Sequence, residues 1–117
     1  MTRYRGLTLR VLGPRAAVMG PGKAELVERI AECGSISSAA RAMGMSYRRA
    51  WQLVEGLNGA FREPVIATAV GGQRGGGARV TAFGIALVRR YRAMEAKASA
   101  AIAGDVRRFA RDIRGKR

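Results

Sequence analysis

Residues 36–57 of this 117-residue chain read ISSAARAMGMSYRRAWQLVEGL and decide its fold. Apolar side chains recur there at helical steps of three and four on both sides of Gly44, which predicts two short helices that pack on each other. A glycine adopts the positive φ of a tight turn without a steric penalty, and the second helix then opens at Ser46. This spacing is that of a helix-turn-helix. Its apolar faces are Ala39, Ala40 and Met43 on the first helix and Ala50, Leu53, Val54 and Leu57 on the second.

The second helix of the motif leaves a polar and basic end uncovered, as does a helix that enters a DNA major groove. Arginine pairs with guanine O6 and N7 and glutamine with adenine N6 and N7, so Arg48 and Gln52 are predicted to read bases. The sequence leaves open whether Arg49 contacts a base or a phosphate. Trp51 is predicted to be a partly buried side chain that supports the helix and whose indole N–H reaches a phosphate. For Tyr47 the sequence leaves open whether the side chain supports the helix or reads a base. The alternative is a helical hairpin that only packs into a core.

Serine residues stand at the predicted starts of both motif helices. The free N–H groups at a helix N-terminus attract anions, and serine hydroxyls at the same place add donors. Ser35, Ser37 and Ser46 are therefore predicted to contact DNA phosphates.

The formal charge of the chain is +14, from 22 Lys and Arg against 8 Asp and Glu. A charge of this size is usually matched by a polyanion, so double-stranded DNA is the expected partner. A membrane is not expected, because the sequence contains neither a run of about eighteen apolar residues nor a signal-peptide pattern. The single cysteine, Cys33, fits a reducing bacterial cytoplasm, where the protein would be associated with the nucleoid. Cys33 itself is predicted to be a small buried residue.

A strand pair and a helix are predicted before the motif. The alternation of apolar and polar residues over 7–11 predicts a half-buried strand, with a brief return strand at Val18 and Met19. Residues 23–33 predict a helix that ends at Gly34, a residue type favoured at helix C-termini. We expect Leu26, Val27, Ile30 and Ala31 to face inward and Glu25, Glu28, Arg29 and Glu32 to face solvent.

A two-stranded hairpin is predicted after the motif, whose second helix is expected to stop at Asn58-Gly59. Residues 65–70 are rich in β-branched side chains and residues 79–81 form a shorter strand-like run,. A glycine-rich basic loop joins them, and a hairpin in this position is typical of the wing of a winged helix. Gln73 and Arg74 at its tip are the predicted DNA contacts, with the arginine reaching a phosphate or the minor groove. A flexible tip without a role is the alternative.

A long helix is predicted to begin after Thr81, which caps it. Apolar residues recur along it at steps of three and four. Because this helix overhangs a winged-helix body formed by residues 1–81, we expect it to pair with a second copy of the chain, although it could instead cover the chain's own core. The basic C-terminal residues are either a solvated tail or an extra phosphate clamp. The predicted dimer interface consists of Phe83, Leu87, Tyr91, Met94 and Ala98.

Together these patterns predict a mainly α fold with a small β component (α+β). It is a winged helix-turn-helix over residues 1–81, followed by a C-terminal dimerisation helix and basic tail over residues 82–117. The expected function is that of a sequence-specific DNA-binding transcriptional regulator. An enzyme is not expected, because the chain has no histidine and no Cys/His metal cluster,. The alternatives are a sequence-indifferent basic nucleoid or RNA-binding protein, which needs charge without readout, and a partner-binding adaptor.

The chain resembles the N-terminal DNA-binding domain of the ModE family of molybdate-responsive transcriptional regulators. The resemblance rests on the Ser-Tyr-basic-x-Ala-Trp segment at residues 46–51 combined with the glycine-rich wing at residues 69–78. It covers roughly residues 7–100, whereas the helix-turn-helix alone is shared with the broad group of LysR-type regulators. Further matching residues are Gly34, Ser35, Ile36, Ser37, Leu57, Asn58, Thr81 and Gly84.

The resemblance implies a winged helix-turn-helix homodimer that binds palindromic operator DNA and serves molybdenum homeostasis. Full-length members carry C-terminal oligonucleotide-binding-type domains that hold molybdate, with a Ser-Ala-Arg-Asn-Gln segment at their dimer interface. That segment is absent from this sequence, so we expect a single-domain form without a cofactor. Only the resemblance to the ModE family suggests that molybdate or tungstate could be a ligand.

Overall fold

The computed structural model describes residues 6–68 and 77–115 of the chain. Within them the predicted α+β class is confirmed, because helices predominate and the strands form two small antiparallel sheets. The helices are α1 (Pro21–Cys33), α2 (Ile36–Ala42), α3 (Tyr47–Ala60), α4 (Ala82–Ala101) and α5 (Ala103–Ala110). The strands are β1 (Val11–Leu12), β2 (Ala17–Met19), β3 (Ile66–Thr68) and β4 (Ala78–Val80). Strand β1 pairs with β2, and β3 pairs with β4.

The centre of the core lies where α1, α2 and α3 pack together. Leu26 and Ile30 of α1 and Leu57 of α3 are fully buried. Ala39 and Ala40 of α2 are also buried, and their small side chains let the neighbouring helices approach closely. Burying an aliphatic side chain of the size of leucine contributes about 1.5–3 kcal/mol to the free energy of folding. The apolar faces predicted for the two motif helices are therefore confirmed.

The turn and the helix starts of the motif also match the prediction. Gly44 adopts a φ of 69°, in the left-handed region that favours glycine,. The Oγ atom of Ser35 accepts a hydrogen bond from the N–H of Ser38 at 3.1 Å, and that of Ser46 accepts one from the N–H of Arg49 at 3.0 Å. A serine cap contributes about 1 kcal/mol to helix stability. Local hydrogen bonding therefore determines where α2 and α3 begin.

The hairpin β3–β4 forms the base of the predicted wing, with Ile66 opposite Val80. Asn58 fastens this hairpin to α3. Its Oδ1 atom accepts hydrogen bonds from the N–H groups of Val65 and Ile66 at 2.8 and 3.0 Å, and its Nδ2 atom donates to the carbonyl oxygen of Ile66 at 3.0 Å. The predicted stop at Asn58-Gly59 is one residue short, because the Asn58 amide binds across the fold while α3 continues to Ala60.

Helix α4 packs closely on the wing base and on the core. Thr81 caps it as predicted, since its Oγ1 atom accepts a hydrogen bond from the N–H of Gly84 at 2.9 Å. A Cβ added at Gly84 would lie 2.5 Å from the carbonyl oxygen of Val65, so only glycine fits this approach. Further along α4, Val88 and Tyr91 are buried in the core. The first half of α4 is therefore part of the winged-helix body.

Polar contacts tie α4 to α1 and to the N-terminal segment. The guanidinium of Arg92 donates hydrogen bonds to both carboxylate oxygens of Glu28 at 2.9 and 3.0 Å, and to Glu95 at 2.7 Å. The hydrogen bond to Glu28 raises the pKa of Arg92 above its ordinary value. The hydroxyl of Tyr91 donates to the carbonyl oxygen of Leu9 at 2.6 Å. Glu28, predicted to face solvent, is thus half-exposed and paired.

Some expectations for the N-terminal part of the chain are wrong. The strand predicted over residues 7–11 is limited to β1, and Leu7 is exposed, because the pairing partner β2 is only three residues long. Ala31 and Cys33, both predicted to be buried, are exposed. Residues 31–34 are all exposed although Ile30 in the same turn is fully buried, so the elements that pack on α1 cover only one side of its last turn.

Candidate nucleic-acid interface

The first turn of α3 presents two arginines to solvent. Tyr47, Arg48 and Arg49 are all exposed, while Ala50 immediately after them is fully buried. Ala50 begins the buried face of α3, which continues to Leu57 in the core. The exposed end is therefore held in place by the packing of the opposite face of the same helix.

The two predicted base readers lie on one outer surface of α3. Arg48 and Gln52 are both exposed, and residues four apart on a helix point in the same direction. Trp51, predicted to be partly buried, lies beside them with 37% of its surface exposed. Tyr47 is 54% exposed and is the less covered of the two aromatic side chains. These four side chains therefore share one side of the first two turns of α3.

Arg49 lies on a different side of α3 from Arg48. It lines a cleft that is also lined by Lys23 of α1 and by Arg10 of the N-terminal segment. A position among cations at a helix N-terminus favours a phosphate ligand over a base. Arg10 and Lys23 were not predicted as site residues from the sequence. The only local signal for them is the run Gly20–Lys23, which marks the start of α1.

The three serines of the predicted phosphate contacts lie at the starts of α2 and α3. Ser35 and Ser46 use their hydroxyl oxygens as acceptors in the helix caps. A hydroxyl that accepts a hydrogen bond keeps its own proton to donate, so capping is compatible with a phosphate contact. Ser37 is exposed in the first turn of α2.

The wing contributes an exposed cation at its base. Gln73 and Arg74, the predicted contacts at the tip, lie outside the described residues. In β4, Arg79 is exposed between buried Ala78 and Val80. Alternate residues of a strand point to opposite faces, and the small–basic–apolar order of these three residues is the signal that could have identified Arg79 from the sequence.

The residues of the predicted dimer interface on α4 differ in how far they are exposed. Tyr91 is only 3% exposed and lies in the core of its own chain. Phe83 and Leu87 are half-buried against the core, and the ring of Phe83 lies edge-on to another phenylalanine, Phe61, at 6.5 Å between centroids. Met94, which is 43% exposed, and half-buried Ala98 lie further along α4. Only part of the predicted interface is therefore open to a second copy of the chain.

The exposed side chains described above include cations and hydroxyls, the kinds of group that commonly donate hydrogen bonds to phosphate in protein–DNA complexes. Within residues 6–68 and 77–115 no group of three or more His, Cys, Asp or Glu side chains could hold a metal ion. In the same part of the chain no helix is long and apolar enough to cross a membrane.

Curated proteins with similar sequences are molybdenum-related proteins and regulators, although no protein-family model matches the chain. The chain is 42% identical over 92 residues to the molybdenum-pterin-binding protein MopB of Rhodobacter capsulatus, covering 79% of this chain and 33% of that protein. It is 36% identical over 77 residues to the molybdenum transport protein ModE of Azotobacter vinelandii, covering 66% of this chain and 28% of that protein. The DNA-binding transcriptional dual regulator ModE of Escherichia coli is 37% identical over 71 residues, which is 61% of this chain and 27% of that protein. The chain thus spans about a third of the length of the curated relatives it matches.

A solved structure shares the fold. ArgP from Mycobacterium tuberculosis superposes with a TM-score of 0.52 over 74% of this chain and 30% of its own, at 24% sequence identity. This likeness concerns the fold alone.

Proposed function

Because this chain is a homologue of ModE-type regulators, which it matches over about a third of their length, we propose that it is the DNA-binding module of a transcriptional regulator. The observation that carries the proposal is the first turn of α3, where Arg48 and Arg49 are exposed on a helix whose other face is fully buried. A rigid helix with a basic free end suits the DNA major groove. The net charge of +14 supports the same partner,.

In this proposal α3 lies in the major groove and reads base edges. Arg48 takes a guanine through O6 and N7, and Gln52, one turn further on, takes an adenine through N6 and N7. One well-formed bidentate pair discriminates against a wrong base by about 1–3 kcal/mol. Tyr47 borders the same groove, and Trp51 supports the helix while its indole N–H reaches a phosphate.

Phosphate contacts hold this helix in register. Ser35, Ser37 and Ser46 stand at helix N-termini, where free N–H groups and hydroxyls point to the same ligand. Gln73 and Arg74 of the wing are proposed to follow the backbone or enter the minor groove beside the recognition helix. These contacts position the protein and carry little sequence information of their own.

We further propose that the chain works as a homodimer on a palindromic operator. The exposed parts of α4 and α5 support this, since Met94 on α4 and Phe109 on α5 are 43% and 73% exposed. A two-fold axis there would place the two recognition helices on half-sites about 10 base pairs apart. The DNA-binding body would then consist of residues 1–81 and the first half of α4, and the remainder of residues 82–117 would form the dimerisation segment and basic tail.

Selection of duplexes from a random pool, followed by sequencing, tests the proposal directly. We expect a palindromic motif, and an affinity for it at least about 10³-fold above that for random DNA. Recovery of random sequence, together with a steep dependence of affinity on salt, would instead support sequence-indifferent packaging.

Two arginine variants test the role of the recognition helix. Arg48→Ala is expected to lose about 1–3 kcal/mol of binding free energy on the selected site and to relax the preference at one base position. Arg89→Ala, at an exposed position of α4, removes the same charge away from α3 and is the matched control. Equal losses for Arg48→Ala on the selected site and on random DNA would contradict base reading.

A further inference from the structure

A cleft of about 430 Å³ opens between the start of α1 and the side of α3. Its walls come from the N-terminal segment, β2, α1, the turn before α3, and α3 itself. Three cationic side chains line it from three of these elements, namely Arg10, Lys23 and Arg49, and none of its described lining residues is acidic. The cleft therefore concentrates positive charge from parts of the chain that are distant in sequence.

The backbone at the start of α1 adds to this positive potential. The N-cap is Gly20, no side chain caps the helix, and its first turn contains no acidic residue. Pro21 has no N–H, and the N–H groups of Gly22 and Lys23 belong to the first turn, which has no acceptors within the helix. The dipole of this 13-residue helix places a further partial positive charge at the same end,.

Contacts within the chain position two of the cations, Lys23 and Arg10. The Nζ atom of Lys23 donates a hydrogen bond to the carbonyl oxygen of Ala17 at 2.8 Å, which leaves the ammonium with further donors for a ligand. The stem of Arg10 lies over the N-cap, since a Cβ built on Gly20 would be 3.5 Å from Arg10 Cγ. The backbone of Arg49 lies in the first turn of α3, whose start is capped by Ser46. The ammonium of Lys23 and the backbone positions of both arginines are thus defined without a ligand.

We propose that this cleft binds a backbone phosphate of the DNA duplex that α3 reads, an inference that rests on the proposed function. Arg49 belongs both to the cleft and to the exposed first turn of α3, so a phosphate held there flanks the groove that the helix enters. Phosphate oxygens match the donors that converge on the cleft, which are guanidinium, ammonium and backbone N–H groups. Arg10 and Lys23 thereby extend the DNA contact to α1 and to the N-terminal segment.

A pair of substitutions at the N-cap separates binding from folding. Gly20 has an extended backbone with a φ of −162°, and its built Cβ meets Arg10 Cγ at 3.5 Å and the carbonyl oxygen of Leu9 at 3.9 Å, which are ordinary contacts. Gly20→Asp and Gly20→Asn both supply a preferred capping side chain, so neither is expected to lower the melting temperature. Only Gly20→Asp puts a negative charge into the cleft.

The measurement is the slope of log affinity against log salt for a duplex, read by fluorescence anisotropy. Each phosphate contact contributes about 0.9 to that slope, so Gly20→Asp is expected to reduce it by about 0.9 while Gly20→Asn leaves it unchanged. Lys23→Met and Arg10→Gln are expected to reduce it by a similar amount. Lys97→Met, on an exposed position of α4, makes the same change of charge as Lys23→Met outside the cleft and is expected to keep the wild-type slope.

A second titration, with inorganic phosphate at constant ionic strength, follows the backbone amide signals of Gly22 and Lys23 by NMR. If the protein binds DNA and Gly20→Asp keeps the wild-type slope, the inference is overturned while DNA binding by α3 stands. If the protein binds no DNA but phosphate shifts both amides, the proposed function fails and the DNA assignment with it, and the cleft is a site for a free anion. Absence of both DNA binding and amide shifts overturns both proposals.

Discussion

Replacing Asn58 by alanine is expected to weaken the attachment of the wing base to α3. The side chain makes three hydrogen bonds to the backbone of Val65 and Ile66, at 2.8–3.0 Å. Each such bond contributes about 0.5–1.5 kcal/mol net, and the two residues it serves are buried, so their N–H groups would be left without an acceptor,. Alanine favours the helix by roughly 0.5 kcal/mol relative to asparagine, which offsets part of the loss. The expected net destabilisation is about 2–3 kcal/mol.

Urea unfolding followed by circular dichroism measures this change. A domain of this size loses about 1–3 kcal/mol of stability per molar urea, so the urea midpoint should fall by about 0.7–3 M. The matched control is Gly59→Ala at the next position of α3. The Cβ added there meets nothing within 4 Å, and replacing a helical glycine by alanine is expected to stabilise by about 0.5–1 kcal/mol. Adjacent alanines should therefore shift the midpoint in opposite directions.

A midpoint for Asn58→Ala that equals or exceeds the wild-type value would refute the reasoning. It would mean that the three hydrogen bonds contribute no more than the bonds to water that replace them. The same variant should bind DNA more weakly under conditions in which it remains folded, because the wing would no longer be held at a defined angle to α3. Undiminished binding would show that the Asn58 contacts do not set the geometry of the interface.

Gly84→Ala is expected to lower the free energy of unfolding by about 1–3 kcal/mol, because its Cβ would lie 2.5 Å from a backbone oxygen of the wing base,. Gly56→Ala in α3, where a Cβ meets nothing within 4 Å, is the control and should raise the urea midpoint,; equal midpoints for the two variants would contradict the packing argument. Since the hydrogen bond to Glu28 raises the pKa of Arg92 above its ordinary value, the guanidinium is charged at both pH 7 and pH 9, and the stability that it contributes is lost only at far higher pH. Arg92→Met should therefore lower the urea midpoint equally at pH 7 and pH 9, and a difference from wild type that disappears at pH 9 would be inconsistent with a permanently charged partner.

Most of the local structure around the motif could be predicted from the sequence. The starts of α2, α3 and α4 follow from Ser35, Ser46 and Thr81, because each capping hydroxyl bonds an N–H only three residues away. The turn follows from Gly44 for the same local reason. The exposed basic end of α3 was also predictable, since helical periodicity alone separates the buried face from Arg48 and its neighbours.

Predictions failed where burial depends on elements far apart in the chain. Cys33 continues the apolar stripe of α1 but is exposed, because the elements that pack on α1 bury Ile30 and leave the other side of the last turn uncovered. Tyr91 continues the stripe of α4 and was predicted to meet a second copy, yet its hydroxyl bonds the carbonyl oxygen of Leu9, 82 residues away in the sequence. Asn58 is a residue type that often ends a helix, but here its side-chain amide bonds the backbone of Val65 and Ile66.

The sequence by itself determined that this chain is a basic helix-turn-helix protein, because helix caps, turn glycines, apolar periodicity and net charge are set within a few residues or by composition. Only the tertiary structure decided which basic residues lie together. Arg48 and Arg49 are neighbours in the sequence, but helix geometry directs them to different surfaces, and Arg49 lines a cleft with Arg10 and Lys23. That grouping depends on how α1, α3 and the N-terminal segment pack, and packing is a property of the whole core rather than of any one segment.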